Sequence, residues 1–130
     1  MEKHKPHILL TNDDGVQAPG LLALAEALTP QAEVSIIAPD RNWSASGHVK
    51  TMHKPLRATE TVIGGRYPAL ETNGAPSDAV ALGLMGLAPQ PVDLVIAGIN
   101  RGENLGQDIT YSGTVTAAME GILGEVPSLA

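Results

Sequence analysis

Ile8-Leu9-Leu10-Thr11-Asn12-Asp13-Asp14-Gly15 decides how this chain is read. The apolar run Ile8-Leu9-Leu10 reads as a short buried strand, and a carboxamide and two adjacent carboxylates stand where it ends. Gly15 permits the sharp departure that such a strand end needs. In an open α/β sheet, ligands bind just beyond the carboxyl ends of the strands. Two carboxylates in that crevice repel each other and are costly to desolvate unless a cation sits between them. Oxygen-only ligands favour a hard divalent ion such as Mg²⁺ or Mn²⁺. Asn-Asp-Asp-Gly is equally good turn chemistry, since Asn and Asp form Asx-turns and Gly takes positive φ. The surrounding chain has to decide between the two.

Downstream, Leu21, Leu24, Ala25 and Leu28 recur at helical spacing behind Pro19, a residue tolerated in a first turn. The helix ends near Thr29-Pro30, and Val34-Ser35-Ile36-Ile37-Ala38 reads as a second strand. Strand, helix and strand within about thirty residues make a right-handed βαβ unit. The polar stretch Pro39 to Val49 leaves the carboxyl end of the second strand, on the same edge as Asp13 and Asp14. It contains hydroxyls, Arg41 and the sole tryptophan, Trp43.

Lys50 to Leu70 hints at one or two short strands, with Gly64-Gly65 as a turn and Tyr67-Pro68 resisting a central-strand assignment. A helix follows through Val80, Leu82, Leu84 and Met85, with Pro76 and Asp78 suited to its first turn. Asp78 thereby has a structural explanation. Val92 to Ala97 is a near-continuous apolar run, as expected of a strand covered on both faces. It leads into Gly98-Ile99-Asn100-Arg101-Gly102-Glu103-Asn104-Leu105-Gly106. Glycines there let backbone approach a ligand, while Asn100 and Asn104 offer neutral donors and acceptors. Tyr111-Ser112-Gly113-Thr114 opens a last helix whose shared face reads as Val115, Ala118, Met119 and Ile122. Ser112 is a good N-cap, and the first-turn amides with the Ser112 and Thr114 hydroxyls form an anion site. Val126 to Ala130 reads as the beginning of another strand, so the chain is expected to be the N-terminal part of a longer one.

Composition narrows the function. The 130 residues suffice for one domain with a real core, and with 2% aromatics and no Phe that core is aliphatic. The lack of cysteine excludes disulfides, thiolate zinc and a cysteine nucleophile. A net charge of −6 argues against a nucleic-acid polymer as partner. No stretch approaches the ~20 apolar residues of a membrane span, and no apolar targeting segment precedes the first strand. A cytoplasmic protein with no membrane partner is expected. Gly98-x-Asn100-x-Gly102 is not a dinucleotide fingerprint, and the adjacency of Asp13 and Asp14 departs from the Asp-x-Asp-x-Thr pattern of haloacid-dehalogenase phosphatases.

In order, Thr11 to Gly15, Ala38-Pro39-Asp40-Arg41, Ser44, Gly98 to Gly102, Asn104-Leu105-Gly106 and Tyr111 to Val115 resemble the SurE family of metal-dependent nucleotidases. Each motif is weak alone; together and in sequence they are specific. The resemblance implies a Rossmann-like three-layer α/β/α fold with a mostly parallel sheet, spanning residues 1–130 as a single phosphatase domain truncated at its C-terminus. It implies hydrolysis of nucleoside 5′- and 3′-monophosphates, and of short polyphosphate, with one Mg²⁺ or Mn²⁺. Matched by motif, the metal ligands are Asp13, Asp14, Ser44 and Asn100. Substrate and phosphate contacts fall to Asn12, Asn104, Ser112, Gly113 and Thr114. Asp13 is the acid expected to act as base or nucleophile, should an acid of the pair do so. A homodimer or homotetramer is implied as well. Ala75 stands where the family has Thr, Ala79 where it has Cys, and Trp43 where a polar or charged residue is common. The competing reading is a non-catalytic module that holds a metal or nucleotide without turnover.

Overall fold

The computed structural model describes residues 5–42, 55–100 and 113–130. The opening run forms β1 (His7–Thr11), buried along its whole length. Helix α1 (Pro19–Leu28) follows, then β2 (Glu33–Pro39), the hairpin strands β3 (Ala58–Ile63) and β4 (Tyr67–Thr72), and helix α2 (Pro76–Leu82). A π-helical turn over Gly83–Leu87 continues α2; β5 (Leu94–Ala97), α3 (Gly113–Leu123) and the short β6 (Ser128–Leu129) complete the chain.

The strands form one sheet in the order β3-β4-β2-β1-β5-β6, parallel throughout except for the β3–β4 hairpin. Its two faces are covered differently. Ile8, Leu10, Ile36 and Ala38 point toward α1, where they pack with Leu21 and Ala25. Leu9, Ile37, Val95 and Ala97 point the other way and pack with Ala79, Val80, Ala117 and Ala118 of α2 and α3. This is the expected α/β/α arrangement, and burial on both faces accounts for the continuous apolar runs in β1 and β5.

At the amino end of the strands, His7 is buried and locked. Its Nδ1–H donates to the Pro91 carbonyl at 3.1 Å, leaving Nε2 to accept from the Ser35 hydroxyl at 2.6 Å. Three groups from distant parts of the chain thus close the edge opposite the acids.

Two sequence expectations need correction. Pro68 lies within β4, between β3 and β2, although proline resists a central strand. It is tolerated because the ladder between β2 and β4 begins only at Ile37 opposite Leu70, so β2 asks for no N–H at Pro68. The buried face of α3 also differs from the expected one. Thr114, Ala117, Ala118 and Gly121 turn inward, while Met119 and Ile122 are 57% and 61% exposed. The cause is close packing: a Cβ on Gly121 would stand 3.2 Å from the Val95 side chain. Only small residues let this helix approach the sheet so closely.

Candidate active site at the carboxyl edge

Strand order positions the site. From β1 the chain passes to α1 on one face; from β5, the neighbour of β1, it reaches α3 on the other face. Adjacent strands whose connections leave to opposite faces open a crevice between them, the switch point where ligands bind in such sheets. Thr11-Asn12-Asp13-Asp14-Gly15 lies on one side of that crevice and Gly98-Ile99-Asn100 on the other. Thr11 pairs with Ala97, and the Gly98 N–H donates to the Thr11 carbonyl at 2.9 Å.

The acid turn is held by Asn12. Its Nδ2 donates to the Gly15 carbonyl at 2.7 Å, and its Oδ1 accepts from the Gly15 N–H at 3.2 Å. Gly15 adopts φ +109°, and a Cβ there would lie 3.2 Å from the Arg41 carbonyl. The chain therefore needs glycine at this point for both conformation and space. Asn12 itself is fully buried with its amide turned onto Gly15, so it lies beneath the turn as a clasp. Turn chemistry and a metal site, the two readings of this stretch, are thus compatible: Asn12 makes the turn, and the turn presents the acids.

Asp13 is 4% exposed and Asp14 is half-buried. With Asn100, also half-buried, they bring oxygen donors to both sides of the crevice. Among the described residues no three His, Cys, Asp or Glu side chains gather into a cluster, so any cation here takes a mixed set of carboxylate and neutral oxygens. Such a set suits Mg²⁺ or Mn²⁺. Two neighbouring carboxylates, one nearly out of solvent, carry a desolvation and repulsion cost that a cation offsets.

Around the acids, main-chain bonds tie the strand exits together. The Val16 N–H donates to Pro39 at 2.8 Å and the Asp40 N–H to Thr72 at 2.7 Å. A cleft of about 340 Å³ opens between Asp14, Gly15 and Ala18 on one wall and Asp40, Arg41 and Asn42 on the other. Arg41 pairs with Asp40 at 3.0 Å, but its side chain is 61% exposed and the pair contributes little to stability.

Thr114 stands in the first turn of α3 and is 3% exposed, and Gly113 begins that helix. The structure thus brings Asp13, Asp14, Asn100 and the start of α3 to one edge. Ser44, Asn104, Ser112 and Trp43 lie outside the described residues. Asp78 does what its position foretold: its carboxylate accepts from the Ala75 N–H at 2.8 Å and caps α2.

Sequence reasoning gave no role to Gly20. In the structure a Cβ on Gly20 would overlap the Ile99 carbonyl oxygen, so α1 touches the Gly98–Asn100 segment directly. The only sequence signal was a glycine placed just inside a helix start, where nothing about the helix requires one. Gly20→Ala is expected to push that segment away from Asp13 and to destabilise by about 1–3 kcal/mol, the usual range for overpacking. Thermal unfolding followed by circular dichroism checks this; an unchanged midpoint would show that the contact yields freely.

An open, mostly parallel α/β sheet with an acid pair at its switch point defines a Rossmann-like α/β protein. The comparisons with known proteins narrow this. The family model for survival protein SurE matches residues 8–130, and the chain belongs to the SurE family. A relative from Chloroflexus aggregans named 5′-nucleotidase SurE is 55% identical over 124 residues, covering 95% of this chain and 49% of its own length. One of the same name from Geobacter sulfurreducens is 52% identical over 124 residues, covering 95% and 46%. The crystal structure of the SurE protein from Aquifex aeolicus superposes with a TM-score of 0.82 at 46% identity, covering 96% of this chain and 50% of that one. The chain therefore spans about half the length of the relatives it matches.

Proposed function

We propose that this chain carries the reaction centre of a metal-dependent phosphomonoesterase that hydrolyses nucleoside 5′- and 3′-monophosphates, and short polyphosphate, to release phosphate. The observation that carries the reading is the meeting of Asp13, Asp14 and Asn100 with the start of α3 at the switch point between β1 and β5. The names of the relatives support it.

In this reading Asp13, Asp14, Ser44 and Asn100 hold one Mg²⁺ or Mn²⁺. When bound, the ion supplies Lewis-acid polarisation of the phosphoryl group and lowers the pKa of water. The chain's own groups do the rest. The first-turn amides of α3, with Ser112, Gly113 and Thr114, receive the phosphoryl oxygens at the positive end of the helix dipole. Donors fixed there before the reaction need no rearrangement as charge builds on those oxygens. Asn104 adds a neutral contact to the substrate. Asp13, nearly closed to solvent, takes a proton from the attacking group in this reading, or attacks itself. No helix among the described residues is long and apolar enough to cross a membrane, and the reading includes a cytoplasmic homodimer or homotetramer.

Phosphate release from a panel of nucleoside monophosphates, with Mn²⁺, with Mg²⁺ and with chelator, tests the reading. Release that depends on the metal is the expected result; equal release in chelator would overturn it. The competing reading is a module that binds metal and nucleotide without turnover. Saturable nucleotide binding with no phosphate released would decide for that one.

A further inference from the structure

The cleft beside Asp14 continues past its far wall. Asp40, which lines that wall, also lines a second cavity with Arg57, Thr59, Glu71 and Asn73. This cavity holds about 390 Å³, a size typical of small-ligand sites. It lies farther along the same edge. From β1 the sheet passes to β2 and then to β4, so the end of β4 stands roughly 10 Å from the end of β1 at the ~4.8 Å spacing of strands. A nucleoside monophosphate with its phosphate at Asp13 and Asp14 covers that distance with its sugar and base.

The second cavity is built on fixed parts. Thr59 and Glu71 stand opposite each other in the β3–β4 ladder. The Asn73 side chain holds the segment before β3: its Nδ2 donates to the Pro55 carbonyl at 2.9 Å, and its Oδ1 accepts from the Arg57 N–H at 2.7 Å. The Asp40 N–H, bonded to the Thr72 carbonyl, ties the exit of β2 to β4. The Asp40 carboxylate is taken up by Arg41. Arg57 and Glu71 are different. Arg57 is exposed and Glu71 half-buried, and both line the one cavity. Yet among the described residues neither side chain enters an ion pair. A guanidinium and a carboxylate are thus both available to a ligand, on walls that other atoms hold in place.

We propose that Arg57 and Glu71 determine specificity for the nucleobase of the substrate. The inference rests on the phosphatase reading above and deepens it. The guanidinium only donates hydrogen bonds and the carboxylate only accepts them. Together they fit an uncharged heterocycle that offers acceptors on one edge and an amino group on another. Guanine has both: O6 and N7 accept from a guanidinium, and N1–H with the 2-amino group donates to a carboxylate. A second phosphate does not fit this cavity, since Glu71 and Asp40 both repel it. The cleft between Asp14 and Asp40 then holds the sugar.

The test is binding by calorimetry in the presence of Mn²⁺, with phosphate release followed in parallel. The ligands are guanosine 5′-monophosphate, inosine 5′-monophosphate, which lacks the 2-amino group, and ribose 5-phosphate, which lacks the base. The proteins are the wild type, Glu71→Ala, Glu71→Gln and Arg57→Ala. The wild type is expected to bind the guanosine ester roughly ten-fold more tightly than the inosine ester, the order of one hydrogen bond to a charged group. Glu71→Ala should bring the two esters to equal affinity, and Glu71→Gln should narrow the gap. Arg57→Ala should weaken both esters by a similar factor, because O6 and N7 are common to them. Ribose 5-phosphate should bind all four proteins alike, which a general loss of structure would not allow. Equal binding of the two esters by the wild type, or a gap that survives Glu71→Ala, would overturn the proposal and leave the phosphatase reading in place. Nucleotide affinities unchanged in Arg57→Ala would overturn it too. A wild type that binds these ligands in the expected order and releases no phosphate would overturn the phosphatase reading and uphold the base contacts. A wild type that binds none of them would overturn both.

Discussion

Asp13→Asn is expected to lower metal-dependent phosphate release on the order of a thousand-fold, about 4 kcal/mol of transition-state stabilisation. The substitution is nearly isosteric, and Asp13 sits at 4% exposure on a turn that other atoms hold. The fold should therefore survive, and the loss should trace to the missing negative charge. Three measurements separate the effects. Circular dichroism should show a native spectrum, Mn²⁺ titration should show weakened binding, and excess Mn²⁺ should restore little of the rate if Asp13 also handles a proton. Full recovery at high Mn²⁺ would reduce Asp13 to a ligand alone. A rate equal to the wild type would remove the acid pair from the mechanism.

The second large effect is expected beneath the acids. Asn12→Ala deletes both bonds to Gly15: the buried Gly15 N–H loses its partner, while the Gly15 carbonyl keeps only the Ala18 N–H at 3.0 Å. One orphaned N–H and one further deleted bond destabilise by about 1.5–3 kcal/mol, which for a domain of this size lowers the unfolding midpoint by roughly 8 °C. Phosphate release should fall too, because Asp13 and Asp14 lie between the two ends of the clasp. Asn12→Asp should be no better. It keeps an acceptor for the Gly15 N–H but turns a carboxylate onto the Gly15 carbonyl and adds a third negative charge to the turn. Thermal melts of both variants check this, and a midpoint within a degree or two of the wild type would show that the clasp is dispensable.

Much of this arrangement could be read before the fold was known, and the limits are physical. The β1 run, the α1 periodicity and β2 were legible because each carries its own local signal: an apolar run, a 3.6-residue repeat, and turn residues between them. The hairpin was half legible, since Gly64-Gly65 announced the turn while Pro68 argued against the strand it belongs to. What Pro68 costs depends on where the β2 ladder starts, which is a fact about another strand. The inner face of α3 was misread for a related reason. Periodicity favours large apolar residues, and Met119 and Ile122 fit the repeat, but Gly121 brings the helix so near Val95 that only small residues fit. The site was legible as three stretches with suitable chemistry. Their meeting depends on β5 inserting beside β1, which no local pattern announces. Asn12 shows the finer limit: its residue type suits a ligand and a turn alike, and its two bonds to Gly15 emerge only in the fold.

The main-chain bonds that join the strand exits, Val16 to Pro39, Asp40 to Thr72 and Gly98 to Thr11, make no use of side chains. These bonds are therefore made by atoms that every residue except proline possesses. Substitution at Asp40, Arg41 or Asn42 can remodel the cleft wall without loosening the framework beneath it. Heritable change in what the cleft admits is thereby decoupled from the survival of the fold. A lineage can explore new ligands at this rim one residue at a time, keeping the acid turn and its clasp intact throughout.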